Sequence, residues 1–135
     1  MLSDYLVKKL LDHLFGKATF TAPTIYVALS TTDPGEDGTT ITEPTDASYA
    51  RAVTAASDWE ATILATRVVT NVTVIDFPAS SEPQGDIAYF ALYDDPDTGQ
   101  GNFLWGGTLD APVTVGTNFV ASFDIGALIA TIPAT

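Results

Sequence analysis

Cysteine is absent from this chain, and histidine occurs once, at His13. The first absence excludes a disulfide framework, a thiolate metal site and a cysteine nucleophile. The second excludes a multi-histidine metal site and leaves one candidate imidazole base. Positive charge is scarce: Lys plus Arg total 5 against 17 Asp plus Glu, a net charge of −12. A surface with that balance repels nucleic acid and anionic lipid, so neither nucleic acid nor a membrane is expected as a partner. No run of about 18 apolar residues exists, so no membrane-spanning helix is expected. The first residues carry charges through their apolar periodicity and lack the positive start, apolar run and small-residue cleavage site of a secretion signal. The expectation is a protein that stays in the cytoplasm of its producing cell until it is assembled into something. Charged residues make up only 16% and hydrophobic ones 46%. Disorder needs the opposite balance, so the chain folds.

The 135 residues set an expectation of one domain. Residues 1–17 read as an amphipathic helix, 18–124 as a β-sandwich, and 125–135 as a last strand or a C-terminal arm. The helix signals are complete. Ser3 can cap the N-terminus, Asp4 sits in the positive first turn, and Gly16 supplies a left-handed stop. Between them Leu6, Val7, Leu10, Leu11 and Leu14 fall at helical spacing. All 20 threonines lie at or after Thr19, where strand and turn language takes over. Residues 24–30 alternate, with Ile25, Val27 and Leu29 on one face, and 31–45 form a turn-rich loop. Residues 49–55, 67–77 and 118–124 read as strands. Residues 57–62 are ambiguous, and 112–116 read as a turn or short strand. Residues 87–93 are apolar on both faces and read as a central strand, joined by the turn 94–101 to a partner at 102–109. The fold class expected is mainly β: an antiparallel β-sandwich or small barrel with one N-terminal α-helix. Charge is divided unevenly. Residues 1–17 hold three Lys against two acids, net +1, and 18–135 hold Arg51 and Arg67 against fifteen acids, net −13.

Candidate chemistry is thin. His13 lies on the helix beside Leu14, with no Gly-x-Ser-x-Gly elbow or other motif to bring a nucleophile to it. It reads as a helix-face or dipole-capping histidine. The acids gather in turns, at Asp33, Glu36 and Asp37 and at Asp94, Asp95 and Asp97, where carboxylates serve as Asx caps more often than as a glycosidase pair. The spacing Asp33-x-Gly35-x-Asp37-Gly38 imitates the start of an EF-hand, but Pro44 stands at the closing ligand position and no helices flank it. An irregular Ca²⁺ site stays open as the minor reading. Asn71-Val72-Thr73 fits the glycosylation pattern inside an expected strand, and Gly99-Gln100-Gly101 is too short for a phosphate loop. Tyr49, Tyr89, Tyr93, Trp59 and Trp105 could build a stacking surface for sugars, while Phe90, Phe103 and Phe119 read as core. No catalytic, cofactor-binding or metal residues are assigned.

One resemblance runs through the chain. Leu2-Ser3-Asp4-Tyr5, the run from Lys9 to Gly16, and Ile25-Tyr26-Val27-Ala28-Leu29-Ser30-Thr31-Thr32-Asp33-Pro34 resemble a group of small tailed-bacteriophage virion proteins, often described as tail-fibre proteins. Related small proteins decorate or cement capsids. Glu43-Pro44, Tyr49-Ala50-Arg51, Phe77-Pro78, the strand 88–93 and Leu104-Trp105-Gly106 continue the same order of motifs. The chain departs at Asp46-Ala47-Ser48, where the family tends to have glycines. The resemblance implies a non-enzymatic structural component of a tailed-phage virion, working through self-assembly and protein–protein contacts. It implies a homo-oligomer, a trimer by analogy with phage appendages, and virion partners such as the major capsid protein or tail proteins. Capsid decoration or cement, and tail fibre or adaptor, both stand as placements. A receptor- or carbohydrate-binding module of the tail, with Trp59 or Trp105 as an exposed platform, is the alternative. The acidic loops 33–46 and 94–101 are expected to face solvent or a basic partner.

Overall fold

The computed structural model of the chain describes residues 1–62 and 67–131. Helix α1 spans Asp4–Leu14. Ser3 caps it, its Oγ accepting the Leu6 N–H at 3.1 Å, and Gly16 takes the left-handed conformation at φ 71° that ends it. Nine strands follow among the described residues, and every pairing between them is antiparallel. They are β1 (Tyr26–Ser30), β2 (Ala52–Val53), β3 (Trp59–Thr62), β4 (Val68–Asn71), β5 (Ile75–Asp76), β6 (Gly85–Tyr93), β7 (Phe103–Val115), β8 (Ser122–Phe123) and β9 (Ile129–Thr131). One sheet has the order β2-β1-β6-β7, a second β3-β4-β9, and β5 pairs with β8. Together they make a small β-sandwich with one helix, the fold class expected.

The core lies between the sheets. Register sets Val27 opposite Leu92 and Leu29 opposite Phe90, and Trp105 opposite Leu92, so these side chains share the inner face. Ile75, Phe77, Leu128 and Ala130 pack against them from the other sheets. The outer face of the large sheet is buried too. Ala28, Ala91 and Gly106 stand in one row across it, and these small residues let the 31–45 loop settle close, with Ile41 packed on Tyr93 and Phe103. Strand β6 is therefore central and covered on both sides, as its unbroken apolar sequence implies.

Several expected boundaries move, each for a local reason. The expected strand at 67–77 breaks in two, because the Asn71 side chain turns inward and donates to the carbonyls of Thr73 and Asp124, both at 2.9 Å. The chain leaves one sheet there and enters another. Of the turn or short strand expected at 112–116 the structure has strand, since β7 runs through Pro112 to Val115. A register shift between Ile87 and Tyr89 loops residues 109–112 out of the ladder, so the missing proline N–H costs no pairing. Of residues 49–55, only Ala52–Val53 pair as strand, and of 118–124 only Ser122–Phe123. Residues 116–119 wrap around Ser80 instead. Its Oγ accepts the Phe119 N–H at 3.0 Å, and its carbonyl accepts the Asn118 N–H at 2.8 Å. Phe119 is thereby left 41% exposed, not in the core. Of the expected C-terminal segment, Ile129–Thr131 pairs with β4 as the last strand of the chain's own sheet, and residues 132–135 lie outside the described residues.

The helix is held mainly at its start. Ser3 N–H donates to the Leu104 carbonyl at 3.0 Å, Leu2 bridges to Trp105, and Leu2, Tyr5 and Leu6 pack on the core.

Candidate functional site

The motif residues of the sequence meet in a buried polar frame. Glu43 and Arg51 form an ion pair whose side chains are 4% and 0% exposed. Arg51 Nε donates to Glu43 Oε2 at 3.1 Å, and its Nη1 donates to the carbonyls of Asp95 and Gln100 at 2.8 and 3.0 Å. Its guanidinium stacks 3.8 Å from the Tyr93 ring centre. The Tyr49 hydroxyl donates to Glu43 at 3.0 Å and accepts the Leu29 N–H at 3.0 Å. Burial, then the neighbouring Glu43 carboxylate, pushes that phenol far above its ordinary range, so it stays neutral. Phe77 stacks on the Tyr49 ring, with centroids 6.5 Å apart. One arginine thus ties the 31–45 loop, the 94–101 turn and the large sheet together.

A second frame centres on Asp46. Its carboxylate is buried and accepts from the Ser81 hydroxyl and N–H, the Ser48 hydroxyl and N–H, and Gln84 Nε2 at 2.9 Å. The Ser81 hydroxyl above all, then Gln84 and Ser48, hold it far below the ordinary carboxylate range against the opposing effect of burial. Glu43 and Asp46 therefore correct the expectation that the whole acidic stretch 33–46 faces outward. A pH dependence follows. Below the ordinary value of 3.8 the unfolded chain binds a proton at Asp46 that the folded chain refuses. The stability Asp46 contributes is whole above that pH and declines below it. In acid melts followed by circular dichroism, Asp46→Asn should lie below the parent near neutral pH and converge on it toward pH 2. Parallel curves would show that the carboxylate contributes nothing in its charged form.

The other candidates are dispersed. Exposed His13 accepts the Phe20 N–H at Nδ1, 3.1 Å away, and so closes the turn after the helix. Asp33 accepts from Gly35 N–H, Asp37 from Thr39 N–H and Asp95 from Asp97 N–H, the Asx geometry expected of turn acids, while Asp94 closes the 94–101 turn by accepting from Asn102 N–H. Among the described residues no three histidine or acidic side chains come together as a metal would need. Asn71 is fully buried, so a glycan cannot reach it. Among the described residues no buried side-chain polar atom lacks a partner.

The surfaces left without partners are apolar. Beyond its docked first turn, α1 exposes Val7, Leu10 and Leu11, and Leu14 and Phe15 are 74% and 71% exposed. The two sheets part around a cleft of about 500 Å³, walled by Trp59, Val69 and Ala130 on one side and Leu92 and Trp105 on the other. Ala22, Pro23, Ala55 and Ala56 form its rim. Neither tryptophan is an exposed platform: Trp105 is 8% exposed and Trp59 half-buried. Trp59 Nε1 donates to Thr54 Oγ1 at 2.9 Å, and that hydroxyl donates to the Ile25 carbonyl. The cleft's polar atoms are thus turned on one another, which suits an apolar occupant better than a sugar. Among the described residues no helix is long and apolar enough to cross a membrane.

A family model described as Podophage GP4 fiber I protein gp80 matches residues 1–131. No curated protein matches the chain.

Proposed function

The chain belongs to the podophage GP4 fiber I protein gp80 family, a tailed-phage fibre family, and is therefore a virion component with a structural role; from that premise we propose that it is non-enzymatic and acts by self-assembly and contacts with other virion proteins. The observation that carries this reading is the helix whose apolar side chains reach solvent while every buried polar cluster is engaged in holding loops. A side-chain set of that kind gains free energy by covering surface, not by turning over a substrate. Assembly takes place in the cytoplasm of the host bacterium. The protein is a homo-oligomer, with three copies favoured, and its virion neighbours are tail proteins or the major capsid protein. Of the two placements, tail fibre or adaptor and capsid decoration or cement, the family's fibre description favours the tail.

Counting and locating the chain in purified particles tests this. About a dozen copies or fewer at the tail end supports the tail placement, and copies on the order of hundreds over the shell would move it to the capsid. A chain missing from particles would sink the structural role itself.

A further inference from the structure

Among the described residues, two of the apolar surfaces left open have opposite shape: the convex outer face of α1 and the concave cleft between the sheets. We propose that the α1 face of one copy, carried by Leu10, Leu11, Leu14 and Phe15, seats in the sheet-edge cleft of a second copy. This rests on the structural role proposed above and names the contact that performs it.

Charge selects a second copy as the occupant. Outside residues 1–17 the chain carries net −13, so two bodies repel each other wherever they approach directly. Arg51 offers no relief, being buried against Glu43. The helical segment, at net +1, is attracted by another copy's body, and outside it the exposed cation among the described residues is Arg67. Lys8, with its side chain 73% exposed and paired with Asp12 on the same helix, stands one turn before Leu11 on the border of the apolar face. Asp58 stands beside Ala55 and Ala56 on the rim of the cleft, its Oδ2 accepting the Ala55 N–H at 2.7 Å. Chemistry agrees with charge. The cleft's walls are tryptophan and aliphatic side chains, its volume lies within the roughly 300–1,000 Å³ of ligand pockets, and an amphipathic helix laid in such a groove is a recurrent mode of recognition. A contact between two α1 faces would cover one of these surfaces and leave the other in water. A helix in a cleft covers both. Because donor and acceptor surfaces differ, each copy uses both, and the contact propagates to a closed ring, of three copies if each turns by a third of a revolution, or to a filament.

The experiment uses three forms of the full chain and reads mass by light scattering across a concentration series. The parent should be oligomeric. Leu14→Glu alters the helix face, and Ala56→Trp fills the rim of the cleft; both positions are exposed, and circular dichroism verifies that each variant is folded. Each alone should be monomeric, with a dissociation constant raised about ten- to hundredfold. Mixed together, they should form a one-to-one pair, because the intact helix of one still fits the intact cleft of the other. Leu14→Lys removes the same side chain with the opposite charge and should weaken assembly less than Leu14→Glu. A parent that stays monomeric at high concentration overturns the contact, and so does an Ala56→Trp chain that assembles normally, as a helix-to-helix contact would allow. If the monomeric parent is still found in particles, the structural role stands and only this contact fails.

Discussion

Replacing Arg51 by methionine is expected to cost about 3–5 kcal/mol of folding stability, read from urea melts. The size follows from what the substitution strands. Glu43 is left as a buried carboxylate with its counter-charge gone, and the carbonyls of Asp95 and Gln100 lose their donor. Domains of this kind keep only about 5–15 kcal/mol in hand, so a substantial share of the molecules would unfold on warming. Changing both partners, Arg51→Met with Glu43→Leu, should cost less than the single change, because an absent charge needs no counterion. Hydrogen exchange should quicken first in the 94–101 turn, which Arg51 anchors. A single-variant loss below about 1 kcal/mol would mean the pair behaves like a surface salt bridge, contrary to its burial.

Asn71→Leu is the second large effect, about 3 kcal/mol or more. Asn71 Nδ2 donates to Thr73 and Asp124, and its Oδ1 accepts the Leu128 N–H at 2.9 Å, all from a fully buried position. A leucine of similar size fills the space and takes a partner from three main-chain groups: the Leu128 N–H and the Thr73 carbonyl lose the amide, while the Asp124 carbonyl keeps the Ala127 N–H at 3.0 Å; a buried group left unpaired costs about 1–3 kcal/mol. Leu128, itself fully buried, and strand β9 should loosen together. If Asn71→Leu melts like the parent, water has taken the amide's place and the buried bridge is not what holds the C-terminal strand.

These two residues also mark where sequence reading stops. The helix, the central strand β6 and its hairpin with β7 were legible, because their signals are local: a cap and a stop around a 3.6-residue period, and an unbroken apolar run bounded by a glycine-rich turn. Asn71 looked like one polar residue in an alternating strand. Its partners lie two and 53 residues away, and only the second distance explains why the strand breaks. Arg51 looked like a rare surface cation in an acidic chain. Its partners at Glu43, Asp95 and Gln100 are adjacent only once the 31–45 loop and the 94–101 turn have come together over the sheet.

For function the division is similar. From residue types and spacing alone came the mainly β class, the poverty of catalytic residues and the uneven charge, since each of these is a property of residues taken one by one or in short runs. The tertiary structure decided what the apolar residues do. Helical periodicity gave α1 an apolar face, and the natural expectation for such a face is burial. Only the folded arrangement, which anchors the helix through Leu2, Ser3 and Leu6 and sends Leu14 and Phe15 into solvent, leaves that face available to another molecule. Whether an apolar side chain is core or contact depends on which surface arrives opposite it. That is set by long-range packing, which no local pattern encodes.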